Sequence, residues 1–502
     1  MAVIKNTDAP GELSGRRKIF VDVEEINENN IEKVVSEVLK IHSENALEAK
    51  YLMDYERGIT PIHKREKEGR SDVDYRINEN HAAEIKTFKV GYVFSSPITL
   101  VQRAVEDGHD SGEDDKRIAK LNEMLFEEKK SAKDKQLAED FSICGVGYRM
   151  ALPKDKDKDG VAPFDILPLN PLTTCVAYSN DVYQRRVLGV SYVVKADGTL
   201  KIGAYTDTQY FELEGSNLGG SVKRKKSDTN GIGIVPIVEY RADEQRMGCF
   251  EKVIDLLDAL CILTSDRVNG LSQFVQNILW ADNVEVSEEQ KEKVRQGGWL
   301  FTKSDSMTKA TIQYITQQLD QTSAQSLVDW IYEQILQITG TPARGKSTGG
   351  NTGQAIVLSN GWTIAETAAK NTEIVFKDSE FEFLKVILKI LEKDKRVDAE
   401  MKTLRLSDID IKFSRNKTDS LLVKVQALQQ MIDTGVDPLT SFKTVDLFSD
   451  PQQVFVDSRP YIEEKRKAIT NDRNTVESSD ERSKDKSAVS AEEQQGSVPR
   501  TP

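Results

Sequence analysis

FEKVIDLLDALCILTSDRVNGLSQFVQNI, residues 250–278, is the stretch on which the reading of the fold turns. Phe250, Ile254, Leu257, Cys261, Thr264, Val268, Leu271, Val275 and Ile278 follow one another by alternating steps of four and three. That alternation keeps all of them on one stripe of an α-helix, the seam of a helix that packs along its whole length. At ~1.5 Å per residue such a helix runs on the order of 43 Å. A plain domain has little use for so long a seam, and a bundle or ring does. The core helix of an ordinary bundle is the plainer alternative.

Downstream, residues 277–286 (NILWADNVEV) and 299–304 (WLFTKS) read as strands. Between them lies a short helix with a Ser287…Gln290 capping box, stopped by Gly297 and Gly298. The strand TIQYIT (311–316) leads into a second helix from about Ser323 to Thr339. Its apolar face is Ala324, Leu327, Val328, Ile331, Ile335 and Ile338. A glycine-rich loop follows, and a long helical pattern then runs from about Gln354 to Lys393, with Gly361 as its kink point. The alternating LRLSDIDIKF (404–413) is a strand; helices follow near 418–433 and 438–447, then a polar tail that cannot bury a core.

Upstream, residues 145–240 are rich in short strands (YRMAL, FDILPL, CVAYS, GVSYVV, KIGAYT, QYFELE, IVPIVEY), predicting a sheet of hairpins. The basic run Lys223-Arg224-Lys225-Lys226 reads as a solvated hairpin tip, with a phosphate or partner contact as the sharper alternative. Before it, helical patterns cover Ile31 to about Leu52, about Ala82 to Val93, and Lys116 to Cys144; the charged stretch 57–80 reads as an exposed connection. The predicted class is α+β.

The chain has 502 residues, 69 Lys+Arg against 82 Asp+Glu, and a formal net charge of −13. Its length predicts roughly two to four domains. Charged residues make up 30 % and the mean hydropathy is −0.49, the profile of a soluble protein. The acidic balance excludes sequence-independent coating of DNA or anionic lipid, which needs a net-basic face. No membrane partner is predicted, because LKVILKIL (384–391) is broken by Lys385 and Lys389. Cys144, Cys175, Cys249 and Cys261 form no C-x-x-C pair and read as reduced, packed cysteines; no cofactor or metal is predicted. His42, His63, His81 and His109 lack ligand spacing and read as solvated or hydrogen-bonded surface groups. No catalytic residue is singled out, and the chain is not read as an enzyme.

GTPARGKS (340–347) matches the P-loop pattern, but that chemistry needs a strand before the loop and a helix directly after it. Here a helix precedes. A flexible loop carrying the cations Arg344 and Lys346 is the better reading. Asp155, Asp157, Asp159 and Gly160 open like a calcium loop, yet its twelfth position is Ile166, so a hairpin turn is the reading.

The order of elements, with AYTDTQYFE (204–212), GIVPIVEY (233–240) and GGNTGQAIVLSN (349–360), resembles the portal proteins of tailed double-stranded-DNA bacteriophages, of the siphophage type from Gram-positive hosts. The resemblance covers roughly residues 30–465 and lies in order more than in any one motif. It implies a ring of about twelve subunits at one capsid vertex: the channel for genome packaging and ejection, and the docking site for the terminase large subunit and the head–tail adaptor. Major capsid and scaffolding proteins would be further partners, and the location the virion, reached from the host cytoplasm during assembly.

The implied divisions are a flexible N-terminus (1–30), an α/β wing (31–245), a stem helix (246–279), a clip (280–317) and a second stem helix (318–340). A tunnel loop (341–353), a kinked helix returning to the wing (354–400), a helical crown (401–465) and a disordered tail (466–502) complete them. Arg344, Lys346, Ser347 and Asn351 would be the DNA-contacting residues of the tunnel loop. Phe250, Ile254, Leu257, Val268, Leu271, Val275 and Ile278 would pack the stem. The rival readings are a P-loop nucleotide-binding protein acting through residues 340–347 and a coiled-coil scaffold unrelated to phage heads.

Overall fold

A computed structural model describes residues 13–65 (except 24), 73–103, 116–154, 162–275 (except 218 and 219), 278–282, 311–315, 321–343, 361–413, 421–448 (except 446), 451 and 453–461. It is α+β. The described residues up to Ser96 and from Leu125 to Leu406 form one compact unit; those from Pro97 to Met124 and from Ser407 onward form a second.

Helix α1 (Ile31–Glu56) of the first unit buries Ile31, Val34, Val35, Val38 and Leu39, spaced for one helix face. That face lies on a six-stranded sheet of order β1-β5-β6-β7-β8-β9, namely β1 (Ile19–Val21), β5 (Thr174–Ser179), β6 (Arg186–Val194), β7 (Leu200–Tyr205), β8 (Gln209–Gly215) and β9 (Val222–Thr229). From β5 to β9 the strands are antiparallel neighbours, as hairpins require. Cys175, Ala177, Leu188, Val190, Ile202, Ala204, Phe211 and Leu213 alternate toward α1. Strand β1 joins parallel to β5, Ile19 opposite Ala177, a pairing too short and too distant in sequence to be expected.

A second sheet has the order β10-β3-β4, with β3 (Val146–Pro153), β4 (Phe164–Leu169) and β10 (Ile237–Arg241). β3 and β4 pair antiparallel from Tyr148↔Leu169 to Pro153↔Phe164, the geometry of a hairpin across the Asp155 stretch, which itself lies outside the described residues. The helical pattern 116–144 is two helices, α3 (Lys116–Glu127) and α4 (Lys130–Cys144), divided at Lys129 with φ +53°. The second unit pairs β2 (Thr99–Gln102) antiparallel with β13 (Ile409–Lys412). Asn122 of α3 clasps β2 by donating to the Leu100 carbonyl (2.8 Å) and accepting from its amide (3.2 Å). Residues 97–124, which chain order places within 31–245, thus group with the C-terminal part of the chain. Helices α8 (Leu421–Asp433) and α9 (Pro438–Val445) follow.

Three expectations are corrected. The basic run 223–226 is no hairpin tip: it lies inside edge strand β9, where Lys225 pairs with Glu214 (2.9 Å) and Lys226 with Asp228 (2.6 Å). Charge along an unpaired edge discourages strand addition. The connection 57–80 is not simply exposed, since Ile62, Arg65 and Val73 are buried. His42 is not a surface group either: it is 2 % exposed beneath Tyr192, with Nε2 3.3 Å from the Leu172 carbonyl oxygen. His63 is exposed, His81 is half-buried between Glu79 and Glu84, and His109 lies outside the described residues. No described helix is long and apolar enough to cross a membrane.

Candidate functional site

The 250–278 stripe divides into a turn, a helix and the start of a strand. Phe250 precedes a 3₁₀ turn (Glu251–Val253), helix α5 runs from Ile254 to Val275, and Ile278 opens β11 (Ile278–Asp282). The helix is therefore shorter than the full stripe. Phe250, Ile254, Leu257 and Cys261 are buried, in one cluster with Leu52, Tyr55, Ile85 and, on helix α6 (Gln321–Thr339), Ile331 and Ile335. Past Cys261 the stripe leaves the core: Val268 is half-buried and Leu271 is 56 % exposed. The buried positions there are Ser265 and Asn269.

An extended strap at residues 73–80 explains that switch. The Asn269 side chain accepts from the Tyr75 amide (2.7 Å) and donates to the Tyr75 carbonyl (3.1 Å); Ser265 Oγ accepts from the Ile77 amide (2.9 Å). Strap backbone brought against a helix needs hydrogen-bonding partners, so this face of α5 is polar.

The root of α5 is fixed by ions and glycines. Buried Glu251 accepts from the amides of Gly15 (3.2 Å) and Gly248 (2.7 Å) and from Arg16 (2.6 Å), which also reaches Glu48 (3.0 Å). The loop from β10 to α5 passes so close that a Cβ on Gly145 (φ +79°) would sit 1.9 Å from the Arg246 carbonyl oxygen. Charge-assisted bonds among buried groups are the strong kind.

Helices α5 and α6 are joined through the antiparallel pair β11–β12, the latter being Thr311–Ile315. Arg267 donates to Gln325 (2.8 Å) far from the cluster shared by Leu257 and Ile335, so the two helices run antiparallel. On α6 the expected apolar face splits. Ile331 and Ile335 are buried, while Leu327 and Ile338 are exposed, as is Trp330 beside them. α6 ends in a Schellman turn: Gly340 has φ +64°, its amide bonds the Gln337 carbonyl (3.2 Å), and the Thr341 amide bonds that of Leu336 (2.9 Å). Pattern 340–347 thus opens on the carbonyl end of a helix, the wrong polarity for phosphate.

Arg344, Lys346, Ser347 and Asn351 lie outside the described residues, as do the short helix and the second strand expected between 287 and 304. Gly361, expected as a kink inside a helix from 354, stands at φ +79° before the first turn of α7 (Trp362–Lys393), and its carbonyl accepts from Ala365 (3.1 Å). A Cβ on it would lie 3.8 Å from Pro342 Cα, so α7 starts beside the end of α6. Trp362 packs edge-on against Phe88 of α2 (His81–Val93), and Tyr92 donates to Glu366 (2.8 Å).

Farther along α7, Glu380 is fully buried against Arg149 of β3, with Lys130 at 3.1 Å and the Tyr240 hydroxyl donating at 2.6 Å. Asp134 takes Arg149 (2.6 Å) and Lys130 (2.6 Å), and the guanidinium lies 3.8 Å from the centre of the Phe383 ring. Burial alone would raise the Glu380 pKa. The two cations and the hydroxyl outweigh it and hold the carboxyl below its usual range. This network ties α4, β3, β10 and α7 together, and sequence reasoning missed it. Its only signal is a charge inside strongly apolar patterns, Arg149 within YRMAL and Glu380 on the α7 core face.

Among the described residues no group of three or more His, Cys, Asp or Glu is placed to hold a metal. The arrangement supplies a rooted antiparallel helix pair with one outer face left apolar.

Residues 36–469 match the family of phage portal proteins described as SPP1 Gp6-like. The chain belongs to that family. No curated protein matches it.

Proposed function

We propose that the protein forms the portal ring of a tailed phage, about twelve copies at one capsid vertex around a channel for double-stranded DNA. The family match over residues 36–469 carries the reading. The antiparallel α5–α6 pair, linked through β11–β12 and followed in the chain by residues 341–353 and α7, supports a stem, clip and tunnel-loop arrangement. In that assembly residues 246–279 and 318–340, which hold α5 and α6, are the stem and residues 280–317 are the clip. The clip would meet the terminase large subunit and later the head–tail adaptor, and the C-terminal helices would form the crown.

Arg344 and Lys346, with Ser347 and Asn351, are the proposed contacts to the DNA backbone. The siphophage type and Gram-positive hosts remain part of this reading. Copies carrying −13 each would build a ring of on the order of 150 negative charges, a conduit along which DNA is repelled rather than gripped. Electron micrographs of the purified chain test the reading. Rings with a central hole are expected, and monodisperse monomers under every condition would overturn it.

A further inference from the structure

Between α2, the loop 242–249, the end of α6 and the first half of α7 lies a cavity of about 540 Å³. Its wall is mostly apolar or small, with Phe94, Phe141, Ala365 and Ala369 inside and Ile338 and Ile364 at its mouth, 53 % and 52 % exposed. Among the described residues, Lys89 is the cation on its wall that has no carboxylate partner. Its Nζ lies 3.6 Å from where a Cβ on Gly340 would stand, and no carboxylate among the described residues acts on it. The acids on the same wall are already engaged, Asp243 by Lys252 (3.3 Å) and Glu244 by Arg241 (3.0 Å). Burial pushes the Lys89 pKa down, and among the described residues the Cys249 sulfur acts weakly the other way.

A lysine half-removed from water with no counter-charge is costly to keep, and pairing it across an interface recovers that cost. Exposed isoleucines at the mouth of such a cavity mark a surface that meets another. The outer face of α6 continues the apolar surface through Leu327 and Trp330, 45 % and 54 % exposed. We infer that Lys89 and this cavity mouth are one half of a contact between two copies of the chain, the second copy bringing a carboxylate to the ammonium and apolar side chains to Ile338 and Ile364. The inference rests on the ring reading. A closed ring needs each copy to present two different, complementary patches, and a chain with 82 Asp+Glu has carboxylates to offer a lone cation.

The test uses the full-length chain mixed from isotopically light and heavy copies and treated with a carbodiimide, which joins amines to carboxylates without a spacer. In wild-type rings the Lys89 peptide is expected to couple to an acidic peptide of the opposite isotope. Lys89→Met should abolish that coupling and raise the concentration for half-assembly by about tenfold or more. The same change should leave the melting midpoint of the dilute, unassembled chain unchanged or higher, because a buried lone charge has gone. Lys89→Arg should assemble nearly as wild type does. Coupling confined to one isotope, or Lys89→Met rings forming at the wild-type concentration, would overturn the inference and leave the ring reading standing. A wild-type chain that never assembles would remove both.

Discussion

Arg149 and Glu380 fill a place that apolar side chains of similar volume could occupy without desolvating a charge. They are tolerated because Lys130, Asp134 and the Tyr240 hydroxyl leave few of their polar atoms unpaired, and because Phe383 accepts the guanidinium on its face. His42 solves the same problem by staying neutral. Burial pushes its pKa down from 6.5 to about 4, while the Leu172 carbonyl pulls weakly the other way. The unfolded chain therefore takes up a proton near pH 6.5 that the folded chain refuses until about pH 4. The stabilisation is complete above pH 6.5 and is lost as pH falls toward 4, at most on the order of 3 kcal/mol. Denaturant titrations of wild type and His42→Gln at several pH values check this. The stability gap between them should shift against wild type as pH drops, and parallel profiles would refute the assignment.

Among the elements, α5 shows where sequence patterning informs and where it stops. Phe250 to Cys261 were legible because each is apolar or small, recurs at helical spacing, and meets a core of the same character. Beyond them the apolar period continues through Val268 and Leu271, but the chain covers Ser265 and Asn269 instead. Periodicity records which side chains avoid water and says nothing of an extended strap that needs hydrogen-bond partners. Strand β9 was missed for the opposite reason: its charges face outward from an edge, so no apolar alternation marks it.

Two left-handed glycines, Gly145 at the root of α5 and Gly198 in the turn between β6 and β7, give a graded test. Gly145→Ala combines a left-handed φ with a Cβ 1.9 Å from a carbonyl oxygen, whereas Gly198→Ala has φ +83° in open space. The second should cost about 1 kcal/mol. The first should cost at least about 3 kcal/mol or leave the chain unfolded. Equal losses in thermal or denaturant unfolding would show that the close approach carries no weight.

For the molecule as a whole, chain order predicted the helix–strand–helix succession well and the grouping of segments less so. β2 finds its partner in β13 some 300 residues later, and two four-residue strands hold too little pattern for that pairing to be foreseen. The acidity belongs to this scale too. If the net −13 of each copy surrounds a channel, the few cations offered to DNA matter out of proportion to their number. Arg344→Gln with Lys346→Gln should leave ring formation intact and alter genome packaging or retention in a complementation assay; unchanged packaging would count against the tunnel-loop assignment. The lock between Arg16 and Glu251 closes across 235 residues of chain. At the roughly 5–20 residues per second of synthesis, its two halves leave the ribosome about 10–50 s apart. Through that interval Arg16 has no Glu251 to meet, and α5 cannot be rooted until half of the 502 residues have been made, so commitment to the mature helix pair is timed by translation.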